Sequence, residues 1–141
     1  MTKSKHIAIL GSGAGSNANH LLEFSRHNPG LMPAVVLSNK ENAGILKVAK
    51  QHDAPHNLVS SNLEVNGQSL VNYLNTLGVD WIVLAGFLKK IPSDVIQAFP
   101  NRILNIHPSL LPKFGGKGMY GKHVHKAVVE AKETETGITI H

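Results

Sequence analysis

His6-Ile7-Ala8-Ile9-Leu10-Gly11-Ser12-Gly13-Ala14-Gly15-Ser16-Asn17 is the stretch on which the reading of the chain turns. The apolar run ending at Leu10 is too short to span a bilayer or to act as a secretion signal, and glycines follow it in place of a cleavage site. A short apolar run closed by glycines reads as a strand buried on both faces. Gly11 to Gly15 is then a tight turn. Asn17 to His27 carries Leu21, Leu22 and Phe24 at helical spacing, and Pro29-Gly30 ends that helix.

The same alternation continues outward. Ala34-Val35-Val36-Leu37 is expected as a second strand, closed by the polar turn Ser38-Asn39-Lys40. Ile45, Leu46, Val48 and Ala49 mark a second helix, and a short strand is expected near Asn57-Leu58-Val59. After a polar stretch from Ser60 to Asn66, Leu70, Val71, Leu74 and Leu77 share one face of a helix from Gln68 to Leu77. Asp80 to Ala85 is a further strand, and Ser93 is placed to cap a short helix carrying Val95, Ile96 and Phe99. Arg102 to Ile106 reads as a strand, Lys113 to Lys122 as a glycine-rich loop, His123 to Lys132 as a helix, and Gly137 to His141 as a strand only begun. Continuously apolar strands separated by helices predict an α/β fold: a mostly parallel sheet with helices on both faces. One domain over residues 1–141 is expected. Because it stops within an apolar strand, it is expected to be incomplete at the C-terminus.

Composition narrows the chemistry. Over 141 residues, 42% are hydrophobic and 5% aromatic, which is ordinary for a globular chain and argues against disorder. There are no cysteines, so disulfides, thiolate nucleophiles and cysteine metal sites are excluded, and a cytoplasmic location is the simplest reading. The net charge of +5 suits an anionic ligand. The basic residues are dispersed and no RNA-binding aromatic motif accompanies them, so a small anion is expected and neither a nucleic acid nor a membrane. Oligomeric state is not set by these features.

The glycine loop lacks the third glycine of a dinucleotide fingerprint, where Ser16 stands, and the second strand ends without an acid for a ribose hydroxyl. It also lacks the P-loop lysine. What remains is a tight turn with bare amides at a helix N-terminus. It reads either as a site for one phosphate with Ser16 and Asn17 as added donors, or as a structural turn capped by one of them.

A second segment, Asn105-Ile106-His107-Pro108-Ser109-Leu110-Leu111-Pro112, leaves a strand end, where ligand chemistry sits in such sheets. Alternation puts Asn105 and His107 on one side of the strand. An amide and an imidazole so placed can serve acyl transfer, the amide bonding a developing oxyanion and the imidazole donating to it or moving a proton. On residue type alone, a turn asparagine and a satisfied, partly buried histidine is the simpler reading. The prolines fix the loop, and either Pro108 or Pro112 can follow a cis bond. His123 and His125 stand two apart on a helix and do not share a face, so no metal is expected.

Taken together, Ser12-Gly13-Ala14-Gly15-Ser16-Asn17, Ser38-Asn39-Lys40, Val83-Leu84-Ala85-Gly86-Phe87 and Leu104 to Pro112 resemble the folate-dependent formyl transferases over the whole chain. Asn-x-His-Pro-Ser-Leu-Leu-Pro is the mark of the wider group. The glycine loop points to its phosphoribosylglycinamide (glycinamide ribonucleotide) formyltransferase branch, and Phe114 to Gly121 is similar to a loop of some members. The resemblance implies a Rossmann-like three-layer fold and transfer of a formyl group from 10-formyltetrahydrofolate, as cosubstrate, to the glycine amine of glycinamide ribonucleotide in purine biosynthesis. It implies phosphate binding at Gly15, Ser16 and Asn17, and folate binding at the backbone of Leu88, Lys89, Lys90 and Ile91 with Asn105. Asn105 and His107 are implied to be catalytic. The catalytic aspartate of the family falls beyond the point matching His141, so the chain alone is expected to be weakly active or inactive. An arginine that binds folate in some members aligns near Asn66. The rival readings are a methionyl-tRNA formyltransferase, a formyltetrahydrofolate deformylase, or a nonenzymatic nucleotide-binding module.

Overall fold

A computed structural model describes residues 3–59 and 67–141. The expected polar stretch from Ser60 to Asn66, including Asn66 itself, lies outside the described residues. The chain divides into two compact units, residues 1–103 and 104–141.

In the first unit the elements run β1 (Lys5–Leu10), α1 (Ser16–Arg26), β2 (Leu31–Ser38), α2 (Gly44–Gln51), β3 (His56–Leu58), α3 (Gly67–Thr76), β4 (Trp81–Leu84) and α4 (Ser93–Ala98). The strands lie in the order β3-β2-β1-β4, and every pairing among them is parallel. The period of two along β1 builds two cores. Ala8 and Leu10 pack with Leu70, Val71 and Leu74 of α3 and with Val95 of α4. Ile7 and Ile9 pack on the other face with Ala18 and Leu22 of α1 and Ile45 and Ala49 of α2. Each fully buried Leu or Ile contributes about 1.5–3 kcal/mol of apolar burial, which a strand exposed on one face would not collect twice over. Two helical layers about a parallel sheet are the α/β architecture expected from the continuous apolar runs.

Local departures have identifiable causes. Strand β2 starts at Leu31, ahead of the expected Ala34, and includes Pro33. Its register with β1 jumps from Ile7↔Pro33 to Ala8↔Val35, so Ala34 bulges out where proline offers no N–H to the ladder. Ser93 is the first residue of α4, with Pro92 at the N-cap and no side-chain cap bond. The carboxylate of Asp80, just before β4, accepts the His6 N–H at 2.9 Å, while the Asp80 N–H donates to the His6 carbonyl at 2.7 Å. The His6 amide holds the Asp80 carboxyl below its ordinary range. Partial burial opposes this, and Lys5 and the His6 ring add to the lowering.

The second unit contains most of β5 (Ile103–His107), then α5 (Lys122–Glu130) and β6 (Thr139–Ile140). Here the pairing is antiparallel, with Ile106 opposite Ile140 and His107 opposite Thr139. The backbone groups of Asn105 and His141 exchange hydrogen bonds at 2.7 and 3.0 Å. Val124 and Val128 of α5 are buried, as is Ser109.

Candidate active site

In the first unit the chain runs from β1 out to β2 and β3, then returns to β4 on the other side of β1. The carboxyl ends of β1 and β4 therefore flank the point where strand order reverses, the place ligands occupy in open parallel sheets. The loops leaving these two strands are tied together. Ala85 N–H donates to the Leu10 carbonyl at 2.7 Å, and Ser12 N–H to the Gly86 carbonyl at 3.0 Å.

The glycine turn ends at Gly15, which is the N-cap of α1 with φ 86° and makes no side-chain cap bond. Neither Ser16 nor Asn17 is the cap: Gly15 takes that position, since a left-handed φ favours glycine. A Cβ on Gly15 would lie 2.6 Å from the Ile45 Cα. Gly44 meets the loop from the other side, and a Cβ there would lie 2.7 Å from the Ala14 carbonyl oxygen. Ile45 N–H donates to the Gly13 carbonyl at 3.0 Å. The start of α2 thus clamps the turn, and Gly44 is a supporting residue that local patterning does not disclose. Ser16 and Asn17 are exposed, and the first turn of α1 carries no acidic side chain. A helix start with open amides, no carboxylate and two exposed polar side chains can accept an anion.

Leu88, Lys89 and Lys90 are exposed in the loop after β4, while Ile91 is half-buried against the α3–α4 core. The Leu88 N–H donates to the Ser12 hydroxyl at 2.9 Å.

In the second unit Asn105 and His107 sit two residues apart on β5, each half-buried. No hydrogen bond joins them among the described residues. The Asn105 amide Nδ2 lies 2.9 Å from the His141 Nε2. The His107 Nε2 lies 2.8 Å from the Phe114 carbonyl oxygen. A carbonyl only accepts, so Nε2 carries the proton in this arrangement and Nδ1 is left as the acceptor of the neutral ring. The loop that supplies Phe114 is braced. Ser109 donates to the Lys113 carbonyl at 2.8 Å; Thr139 accepts the Leu111 N–H at 3.0 Å and donates to the Ser109 carbonyl at 2.7 Å. The cis bond is the one before Pro112. His141 and Thr139 are the partners that sequence reasoning missed. Their signal is the antiparallel register opposite β5, which only the pairing reveals.

Among the described residues no group of three or more His, Asp or Glu side chains could hold a metal ion. Nor, among them, is any helix long and apolar enough to cross a membrane.

A parallel α/β unit with a glycine turn on a helix start, together with an Asn-x-His strand end, defines a class, and the chain belongs to it: the formyl transferase family, whose model matches residues 5–141. Within that family the chain is similar to phosphoribosylglycinamide formyltransferases. It is 42% identical over 146 residues to the chloroplastic enzyme of Arabidopsis thaliana, covering 99% of this chain and 50% of that protein. It is 39% identical over 145 residues to the enzyme of Haemophilus influenzae, covering 97% and 65%. Among solved structures, the phosphoribosylglycinamide formyltransferase of Brucella melitensis superposes with a TM-score of 0.86 at 31% identity, covering 99% of this chain and 72% of that one. Glycinamide ribonucleotide transformylase 1 of Symbiobacterium toebii gives 0.85 at 31%, covering 98% and 65%. The chain spans about half the length of the plant relative.

Proposed function

We propose that this chain provides the phosphate-binding and Asn/His parts of a phosphoribosylglycinamide formyltransferase. In this reading Gly15, Ser16 and Asn17 hold the phosphate of glycinamide ribonucleotide at the start of α1, and the backbone of Leu88 to Ile91 holds the folate ring of 10-formyltetrahydrofolate. The cysteine-free composition fits a cytoplasmic location.

The observation that carries the reading is the anchoring of His107, in a chain of the formyl transferase family. Its Nε2–H is committed to Phe114, which fixes the ring and leaves Nδ1 for proton movement. The glycine amine of the ribonucleotide attacks the formyl carbon, forming a C–N bond. Asn105 donates its amide to the oxygen that becomes negative, a contribution of about 3 kcal/mol for one such donor. His107 takes the amine proton and returns it to the folate nitrogen as the bond from that nitrogen to the formyl carbon breaks. The products are the formylated ribonucleotide and tetrahydrofolate. The nucleophile belongs to the substrate, so no cysteine or serine nucleophile is required.

The test is formyl transfer by the full-length protein, followed by mass spectrometry. Formylated glycinamide ribonucleotide is expected, with no transfer to methionyl-tRNA. Release of formate at a rate independent of the ribonucleotide would instead identify a deformylase. Binding of both ligands without product in the intact protein would identify a binding module.

A further inference from the structure

Ser12 belongs to the glycine turn but has no ligand role in the reading above. It is 4% exposed, and its polar groups reach three residues in two other loops, those leaving β2 and β4. Its N–H bonds the Gly86 carbonyl at 3.0 Å. Its hydroxyl donates to the Asn39 Oδ1 at 2.5 Å and accepts the Leu88 N–H at 2.9 Å. The direction is forced: a carbonyl oxygen must take the hydroxyl proton, so the oxygen lone pairs are left for Leu88. Leu88 is otherwise open, with 44% of its surface exposed and no regular structure around it. Gly86, two residues earlier, turns the chain with φ 76°.

We infer that Ser12 is a positioning residue that sets the backbone of the Leu88–Ile91 segment and so determines affinity for the folate cosubstrate. This rests on the assignment of that segment to folate under the proposed function. The chain leaving β1 goes on, within three residues of Ser12, to the cap of α1. One buried hydroxyl therefore holds the folate segment to the same turn that presents the phosphate-binding amides. Asn39, at the end of β2, orients that hydroxyl.

The test uses the full protein and three variants, with calorimetric titration of 5-formyltetrahydrofolate and of glycinamide ribonucleotide, and amide hydrogen exchange at Leu88 read by NMR. Ser12→Ala is expected to weaken folate binding about tenfold and to speed Leu88 exchange by a similar factor, with ribonucleotide affinity within about threefold. Asn39→Asp keeps an acceptor for the hydroxyl and should stay within about threefold of the parent for folate. Asn39→Ala removes that acceptor and should weaken folate binding and speed Leu88 exchange about fivefold, outside the range allowed for Asn39→Asp, so it decides the matter if Ser12→Ala does not fold. Unchanged Leu88 exchange, or equal loss of both ligands, overturns the role given to Ser12. A parent that binds no folate overturns the proposed function instead. That outcome is recognised because the Leu88 amide still responds to Ser12→Ala.

Discussion

Strands β1 and β5 carry the two halves of the proposed chemistry, and they are built in opposite ways. The last four residues of β1 are buried, between parallel neighbours on both sides. No residue of β5 is fully buried. The turn after β1 is therefore held by packing, with Ile45, Gly44 and Ala85 pressed against it. On β5 the side chains of Asn105 and His107 are each held by a single polar tether, to His141 and to Phe114. Binding a phosphate with backbone amides needs a rigid turn and little side-chain chemistry. Moving a proton needs a ring fixed at one nitrogen and open at the other. The contrast predicts that substitutions near β1 act on stability and binding, and those on β5 act on rate.

The sharpest way to break this contrast is at Gly15. Its φ of 86° and the 2.6 Å approach of a Cβ to the Ile45 backbone leave no room for a branched side chain. Gly15→Val should cost about 3 kcal/mol or more, lowering the melting temperature by about 10 °C. A melting curve that stays with the parent would show that the turn is not held by packing.

Asn17→Ala asks less of the structure, since Asn17 is exposed. In the full-length protein it should raise KM for the ribonucleotide about tenfold while leaving folate KM within about twofold, as expected for loss of one hydrogen bond to a charged group. Equal changes in both constants would remove the phosphate from this helix start.

The smallest effect is expected at Asp80. Its folded pKa lies below the unfolded value, so its contribution is present above about pH 4 and is lost as pH falls through the folded value. The carboxylate is partly exposed, which keeps the contribution under about 1 kcal/mol. Urea unfolding should show the parent slightly more stable than Asp80→Asn at about pH 6, with the gap narrowing as pH falls below about 4. A gap that widens on acidification would reverse the sign of the interaction.

Much of the first unit is legible in sequence because its pattern is local. The alternation of Ile7 and Ile9 against Ala8 and Leu10, closed by glycines, is enough to place a strand between two helical layers. The departures arise where a distant partner decides. Pro33 enters β2 because Ile7 lies opposite it, and Gly15 displaces Ser16 and Asn17 as cap because α2 presses on the turn. Ser12 looks like any turn serine until Asn39 and Leu88 are seen on its hydroxyl. In the second unit Asn105 and His107 stand out by residue type, while Thr139 and His141 matter only through an antiparallel register that no local period encodes.

The central claim is that His107 acts on the reaction and not on the fold, and kinetics of His107→Asn in the full-length protein, with glycinamide ribonucleotide and 10-formyltetrahydrofolate, test it most directly. A fall in kcat of roughly a hundredfold or more is predicted, with both KM values changed only modestly and the melting temperature within a few degrees of the parent. An unchanged kcat per folded molecule, together with a large loss of melting temperature, would contradict it and make His107 a packing residue.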